Sequence, residues 1–147
     1  HGPQTKQMKE EILIQLCSRN STVRVVFATA AMGMGVDIPN IRQVIHIGPP
    51  CNVKAYFQET GRAGRDGKPA RAVLYYNNRD IAKNRVEMQD DMREFCSNDQ
   101  SQCIRLLLLK ALEYNYDMSV KPLHLCCSVC KQQCDCSQCL CLLVEKM

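Results

Sequence analysis

YFQETGRAGRDG, Tyr56–Gly67, is the most informative stretch of this 147-residue chain. A helix predicted from residue 53 ends in it, and Arg62 and Arg65 lie three residues apart with glycines around them. This spacing at a helix end places both guanidinium groups on one side, and arginine suits bidentate contact with phosphate. The stretch therefore predicts a phosphate-binding turn. The alternative is a basic turn that only caps its own carbonyl groups.

Short apolar runs on either side of this stretch predict strands. They are RVVFA (24–28), QVIHI (43–47) and RAVLYY (71–76), and helical spacing of apolar residues is found over 4–17 and again from 53. Strands that alternate with helices are typical of α/β proteins with a parallel sheet. From about 78 to 114 the pattern is helical, and a break at 97–99 divides it into two predicted helices.

A second loop, ATAAMGMGVDIPN (28–40), follows the first predicted strand. Parallel sheets bind ligands at the carboxyl ends of their strands, and the Thr29 hydroxyl and the loop amides suit phosphate oxygens. The Asp37 carboxylate can accept a hydrogen bond from a ribose hydroxyl or position an arginine. The alternative is a structural loop in which Gly33 and Gly35 serve a tight turn and Asp37 caps a helix.

Taken together, the two stretches closely resemble motifs V and VI of RecQ-type DNA helicases of superfamily two. The resemblance covers about 23–130, because MREFC (92–96), QCIRLLLL (102–109) and CCSVC (126–130) are similar to the zinc-binding subdomain of that family. It implies an α/β fold, a RecA-like parallel sheet with flanking helices, as a partial second lobe over 1–80. A small helical zinc-binding subdomain over 81–134 and a cysteine-rich tail over 135–147 would follow.

The resemblance also implies roles at an ATP site. Arg65 would be the arginine finger at the γ-phosphate, and Arg62 beside it would couple the nucleotide to the other lobe. The nucleotide side of the site would further include Gln58, Asp37 and Gly35. ATP and Mg²⁺ would be bound jointly with an N-terminal RecA-like lobe.

For the whole protein, the resemblance implies an ATP-dependent 3′–5′ DNA helicase that acts on single-stranded or forked DNA, with Thr29 and Ala30 at the DNA backbone. The phosphate-binding string G-x-x-x-x-G-K-[ST] and the Asp-Glu pair that holds Mg²⁺ do not occur in this sequence. We therefore expect a fragment that hydrolyses no ATP by itself. The alternative is a non-catalytic module that binds nucleic acid or protein and derives from a helicase lobe.

Composition and charge fit this interpretation. Hydrophobic residues make up 46% and charged residues 23% of a chain with net charge +4, which is typical of a globular protein. No run of 18 apolar residues and no signal peptide is found, so we expect no membrane association and a location inside the cell, in the nucleus if the source is eukaryotic. An aromatic content of 5% argues against an extensive base-stacking platform.

Seven of the 11 cysteines fall between positions 126 and 141. This tail has too few large apolar residues to form a core and no secretory signal precedes it, so metal ligation is favoured over disulfides. Cys127 and Cys130 have the C-x2-C spacing of a zinc site. The resemblance adds Cys103, at the start of a leucine-rich helix, as a further ligand.

The fourth zinc ligand is open between His124, Cys126 and Cys134. We predict His124, which gives the array H-x2-C-x2-C, because the side chain of Cys126 should point away from that of Cys127. The extra cysteines of the tail could bind a second metal ion, remain free thiols or replace a ligand; they are Cys134, Cys136, Cys139 and Cys141.

Overall fold

The computed structural model describes residues 5–18, 20–29, 37–38, 40–98, 101–114 and 123–137. Two strands form one sheet in this part of the chain, β1 (Gln43–Ile47) and β2 (Arg71–Tyr75). The α-helices are α1 (Lys6–Cys17), α2 (Val53–Thr60), α3 (Asp90–Cys96), α4 (Ile104–Ala111) and α5 (Ser128–Gln132), and a 3-10 turn spans Leu123–Leu125. No helix among these residues has the length and apolar character needed to cross a membrane.

The chain divides into two compact units. The first consists of His1–Pro49 and Ala55–Tyr76, and the second of Pro50–Lys54 and Asn77–Met147. The first contains the sheet, and the second contains most of the cysteines.

The two strands are parallel, as the alternation of strands and helices predicts. Gln43 pairs with Arg71 and Ile47 pairs with Tyr75. The ladder continues beyond both ends, because the Arg71 N–H donates to the Arg42 carbonyl over 2.9 Å and the Gly48 N–H donates to the Tyr75 carbonyl over 2.7 Å. With α2 as the helix between the strands, the predicted α/β class is confirmed.

A polar contact connects α2 with β1 inside the first unit. His46 Nε2 lies 2.7 Å from Glu59 Oε2, and the His46 ring stacks at a tilt on Tyr56 with centroids 5.2 Å apart. Tyr56 is buried and His46 is nearly so, with 12% of its side chain exposed. Alternation along β1 turns His46 towards the helix, so one histidine orients α2 against the sheet.

The predicted strand over 24–28 is wrong. These residues are described, but they belong to no strand, and the side chains of Val25 and Phe27 are 70% and 81% exposed. A β-branched sequence forms a strand only where a neighbour completes its hydrogen-bond ladder and its side chains pack. Within the described residues, β1 pairs with β2 and with no third strand.

The predicted helix from 78 is also wrong over its first part, because turns replace it up to α3. The guanidinium of Arg93 holds these turns by donating to four carbonyl groups, those of Ile81 (2.8 Å), Ala82 (2.5 Å), Arg85 (2.7 Å) and Met88 (3.1 Å). Two of these carbonyl groups also accept the N–H three residues further on, Ala82 from Arg85 (3.4 Å or less) and Arg85 from Met88. The segment therefore forms turns rather than the i to i+4 bonds of a helix.

A small core in the second unit surrounds α3. Met92 is fully buried together with Val53, and Met88 and Cys96 are 5% exposed. The Asp91 carboxylate accepts the backbone N–H of Val53 over 3.1 Å, which caps the first turn of α2. The leucine-rich helix α4 contributes no fully buried residue to this core.

Candidate functional site

The turn after α2 carries the two predicted arginines. Gly64 adopts φ +71°, and its N–H donates to the Ile41 carbonyl over 3.0 Å. A Cβ atom at Gly64 would lie 3.0 Å from the Lys68 carbonyl oxygen and 3.1 Å from the Ala70 Cβ. Glycine is therefore required here twice, for the backbone angle and for the close approach.

An ion pair fastens the turn to the start of β1. Arg42 Nη2 contacts Asp66 Oδ1, and Arg42 Nη1 donates to the Pro69 carbonyl over 3.1 Å. The hydrogen bond from Arg42 lowers the pKa of the Asp66 carboxyl below its ordinary value of 3.8. Groups outside the turn thus hold it at its middle, through Gly64, and at its end, through Asp66 and Pro69.

Arg65 and Asp37 come together from the two predicted motifs. Arg65 Nη1 lies 2.7 Å from Asp37 Oδ1, and Arg65 Nε contacts the Gly61 carbonyl at 3.5 Å. The side chains of Arg65 and Asp37 are 38% and 77% exposed, so the pair faces solvent. The Cys17 thiol, 3.6 Å from the Asp37 carbonyl oxygen, connects this loop with the end of α1.

The other predicted residues of this site differ in their exposure to solvent. Arg62 is half-buried, and among the described residues its guanidinium has no hydrogen-bonded or ionic partner. Gln58 and Thr29 are exposed. Ala30 and Gly35 lie outside the described residues.

The arginine turn lies at the amino ends of the strands, as its bond to Ile41 shows, because α2 runs back from the carboxyl end of β1 to the start of β2. The rule that α/β sheets bind ligands at their carboxyl ends therefore does not apply to this turn. Its two arginines are accessible at that edge rather than enclosed by their own unit.

Four thiols form a compact group in the second unit, and they belong to Cys103, Cys126, Cys127 and Cys130. The Sγ atom of Cys103 lies 3.6 Å from that of Cys126 and 3.8 Å from that of Cys127. Two sulfurs bound to one zinc ion at about 2.3 Å each are about 3.8 Å apart at the tetrahedral angle, whereas a disulfide requires about 2.05 Å. The group therefore fits a four-thiolate metal centre.

Local structure explains how two of these thiols are directed. Cys103 is the N-cap of α4, and Cys127 is the N-cap of α5. Burial disfavours the Cys127 thiolate, but hydrogen bonds from the backbone N–H groups of Cys130 and Ile104 outweigh it and lower its pKa to about 7. Burial raises the pKa of Cys126 and of Cys130, so without a cation these two thiols keep their protons.

His124, predicted as the fourth ligand, does not lie in this group, and the fourth thiol of the group is that of Cys126. In a 3-10 turn successive side chains are about 120° apart, so His124 and Cys126 point in different directions. Cys126 closes the turn by donating its N–H to the Leu123 carbonyl over 3.0 Å, and Cys127 is extended with φ −157°. The expectation that adjacent cysteines diverge holds within a strand and fails at such a junction.

His124 lies instead with two cysteines of the tail. Its Nδ1 is 3.1 Å from the Cys136 thiol and 3.6 Å from the Cys134 thiol. All three donor atoms lie within 4.8 Å of one another. Hydrogen bonds lower the pKa of Cys134 to about 6, the largest contribution coming from the Cys136 backbone N–H.

Known proteins are similar to this chain over the part that contains the arginine turn. The family model for the helicase conserved C-terminal domain matches residues 1–67. The chain is 38% identical over 122 residues to the putative ATP-dependent DNA helicase Q1 of Caenorhabditis elegans, across 77% of this chain and 18% of that protein. It is 32% identical over 139 residues to the ATP-dependent helicase SGS1 of Saccharomyces cerevisiae, across 83% of this chain and 9% of that protein.

A bacterial relative agrees. The chain is 44% identical over 81 residues to the ATP-dependent DNA helicase RecQ of Pasteurella multocida, across 55% of this chain and 12% of that protein. The chain thus spans less than a fifth of the length of each of these three relatives. With the arginine turn, the thiol group and these matches in agreement, the chain belongs to the RecQ-type helicases of superfamily two, within their C-terminal helicase region.

Proposed function

We propose that this chain supplies the second-lobe half of an ATPase site in a 3′–5′ DNA helicase, with Arg65 as the arginine finger. The observation that carries the proposal is the exposed guanidinium of Arg65 on a turn that contacts on either side of it, at Gly64 and Asp66, hold in place. Arginine placed against a transferring phosphoryl group stabilises the charge that develops on it. The relatives' names, ATP-dependent DNA helicase, support the same activity.

Asp37 has a holding role in this proposal. Its carboxylate, 2.7 Å from the Arg65 guanidinium, keeps the side chain in one orientation while no phosphate is present. An exposed ion pair of this kind contributes at most about 1 kcal/mol, so a triphosphate on the facing lobe would readily compete for the arginine. ATP and Mg²⁺, when bound, supply the phosphoryl group and a counter-charge, and this chain supplies the Arg65 guanidinium in a fixed position.

The remaining assignments belong to the same proposal. Arg62 and Gln58 would lie at the lobe interface. Thr29 would contact the DNA backbone, and the affinity of the protein for DNA should fall steeply with salt concentration. The four-thiol group would hold a structural Zn²⁺, as its sulfur separations support. The division at residues 80 and 134 and a location inside the cell, in the nucleus of a eukaryote, also stay proposals.

The test joins the chain behind the phosphate-binding lobe of a RecQ-type relative. We expect DNA-stimulated ATP hydrolysis, and Arg65→Ala should lower kcat about 10³-fold while DNA binding is retained. Arg79→Ala, which removes an exposed arginine outside the turn, is the matched control and should leave the rate unchanged. No hydrolysis by the unmodified fusion, or equal rates for Arg65→Ala and Arg79→Ala, would favour the non-catalytic binding module.

A further inference from the structure

The tail contains a second group of metal-binding side chains that the four-thiol centre leaves unused. His124, Cys134 and Cys136 share no residue with Cys103, Cys126, Cys127 and Cys130, and the two groups are separate in the structure. All three side chains are half-buried rather than dispersed in solvent.

From this arrangement we propose that His124 Nδ1, Cys134 Sγ and Cys136 Sγ form a second zinc site, distinct from the four-thiol centre. One imidazole nitrogen and two thiolates are donors that zinc prefers, and three protein ligands leave one coordination position open. An ion with one nitrogen and one sulfur ligand, at about 2.05 and 2.3 Å, holds them about 3.6 Å apart at the tetrahedral angle.

The observed separations agree with this geometry. The distance from His124 Nδ1 to the Cys134 sulfur is 3.6 Å, and that to the Cys136 sulfur is 3.1 Å. The first already has the required length, and the second needs to open by about half an ångström, which side-chain rotation accommodates. Nδ1 is the nitrogen that points at both sulfurs, so the ligating atom of the histidine is also defined.

Local backbone structure brings these residues together. The 3-10 turn at Leu123–Leu125 directs His124 away from Cys126, and α5 then reverses the chain so that Cys134 and Cys136 return to the turn. The 3-10 turn and α5 are in direct contact. A second ion would therefore close the loop 124–136, which α5 spans, in a tail that lacks a large apolar core of its own.

The test measures bound metal in the full chain, purified with zinc under reducing conditions and then gel-filtered. We expect two zinc ions per chain by elemental analysis. The double variant Cys134→Ser/Cys136→Ser should retain one, and His124→Asn should lose or strongly weaken the second. Cys51→Ser removes an exposed cysteine that belongs to neither group, so it is the matched control and should retain two.

Cobalt replacement distinguishes loss of one site from loss of the fold. Cobalt–thiolate charge-transfer absorbance scales with the number of bound thiolates, so the double variant should retain the four-thiolate spectrum and lose the contribution of the other two. One zinc per chain in the unmodified protein would overturn the proposal, and so would two zinc ions in the double variant. A second zinc that binds equally well to His124→Asn would remove the histidine from the site.

Discussion

Replacement of Arg93 is the substitution whose effect on stability the structure predicts most sharply. The Arg93 guanidinium, 17% exposed, donates to the carbonyl groups of Ile81, Ala82, Arg85 and Met88 in the turns that precede α3. Truncation by Arg93→Ala removes the guanidinium donor from all four acceptors. The carbonyl groups of Ala82 and Arg85 keep the backbone N–H groups of Arg85 and Met88 as donors. The loss therefore falls mainly on the carbonyl groups of Ile81, a half-buried residue, and Met88, a buried one. Water reaches such a site poorly, so the cost of desolvation persists.

The magnitude follows from these contacts. A hydrogen bond to a charged group contributes about 1.5–3 kcal/mol, but four bonds on one guanidinium share a single charge and do not add. We therefore expect Arg93→Ala to lower the free energy of unfolding by about 3 kcal/mol, the upper end of the range for one such bond. Arg93→Lys should recover no more than about half, because one ammonium cannot reproduce the fork of two nitrogens that reach different carbonyls.

Urea denaturation followed by circular dichroism measures these differences, and hydrogen exchange of 81–92 locates them. Arg79→Ala is the matched control, since Arg79 is exposed in the same segment, and it should stay within about 0.5 kcal/mol of the unmodified chain. A loss below about 1 kcal/mol for Arg93→Ala would refute the reasoning. Full recovery by lysine would show that charge alone, not the fork, is what matters.

Three further perturbations have expected outcomes. Gly64→Ala should lower thermal stability more than Gly67→Ala, because both glycines have positive φ but a Cβ at Gly64 also meets backbone at 3.0 Å; equal melting temperatures would contradict this. Asp66→Asn should lower the free energy of unfolding at pH 7 and have no effect on it in acid. Arg42 lowers the pKa of Asp66 in the folded protein below 3.8, so the stabilisation by this ion pair is lost as pH falls through that lowered value; urea midpoints measured against pH test this. Cys126→Ser should weaken zinc binding at the four-thiol centre more than about tenfold in a chelator competition, and unchanged affinity would exclude that ligand.

Local signals predicted the part of the fold that is governed by local physics. The parallel pair β1 and β2 follows from two β-branched runs with a helix between them, and the turn at Gly64 follows from glycines that permit positive φ. The approach of Asp37 to Arg65 could be anticipated only through the resemblance, because nothing in either loop's spacing specifies the other. The prediction of a strand around Phe27 was wrong because the apolar residues of this run do not determine whether a neighbouring strand is present.

The two remaining errors have a common physical cause. Whether 78–89 is helical and whether Cys126 and Cys127 face one site both depend on backbone conformations set by contacts outside the local pattern. In the first case one side chain from the next helix, that of Arg93, donates hydrogen bonds to carbonyl groups of the segment and stabilises its turns. In the second a 3-10 turn meets an extended residue, so that adjacent thiols converge while the histidine two residues earlier turns elsewhere. In a cysteine-rich tail, spacing thus identifies the donors, but only the backbone conformation assigns each donor to an ion. The choice between His124 and Cys126 is therefore a question of turn geometry, and the zinc binding of the His124→Asn and Cys126→Ser variants tests it.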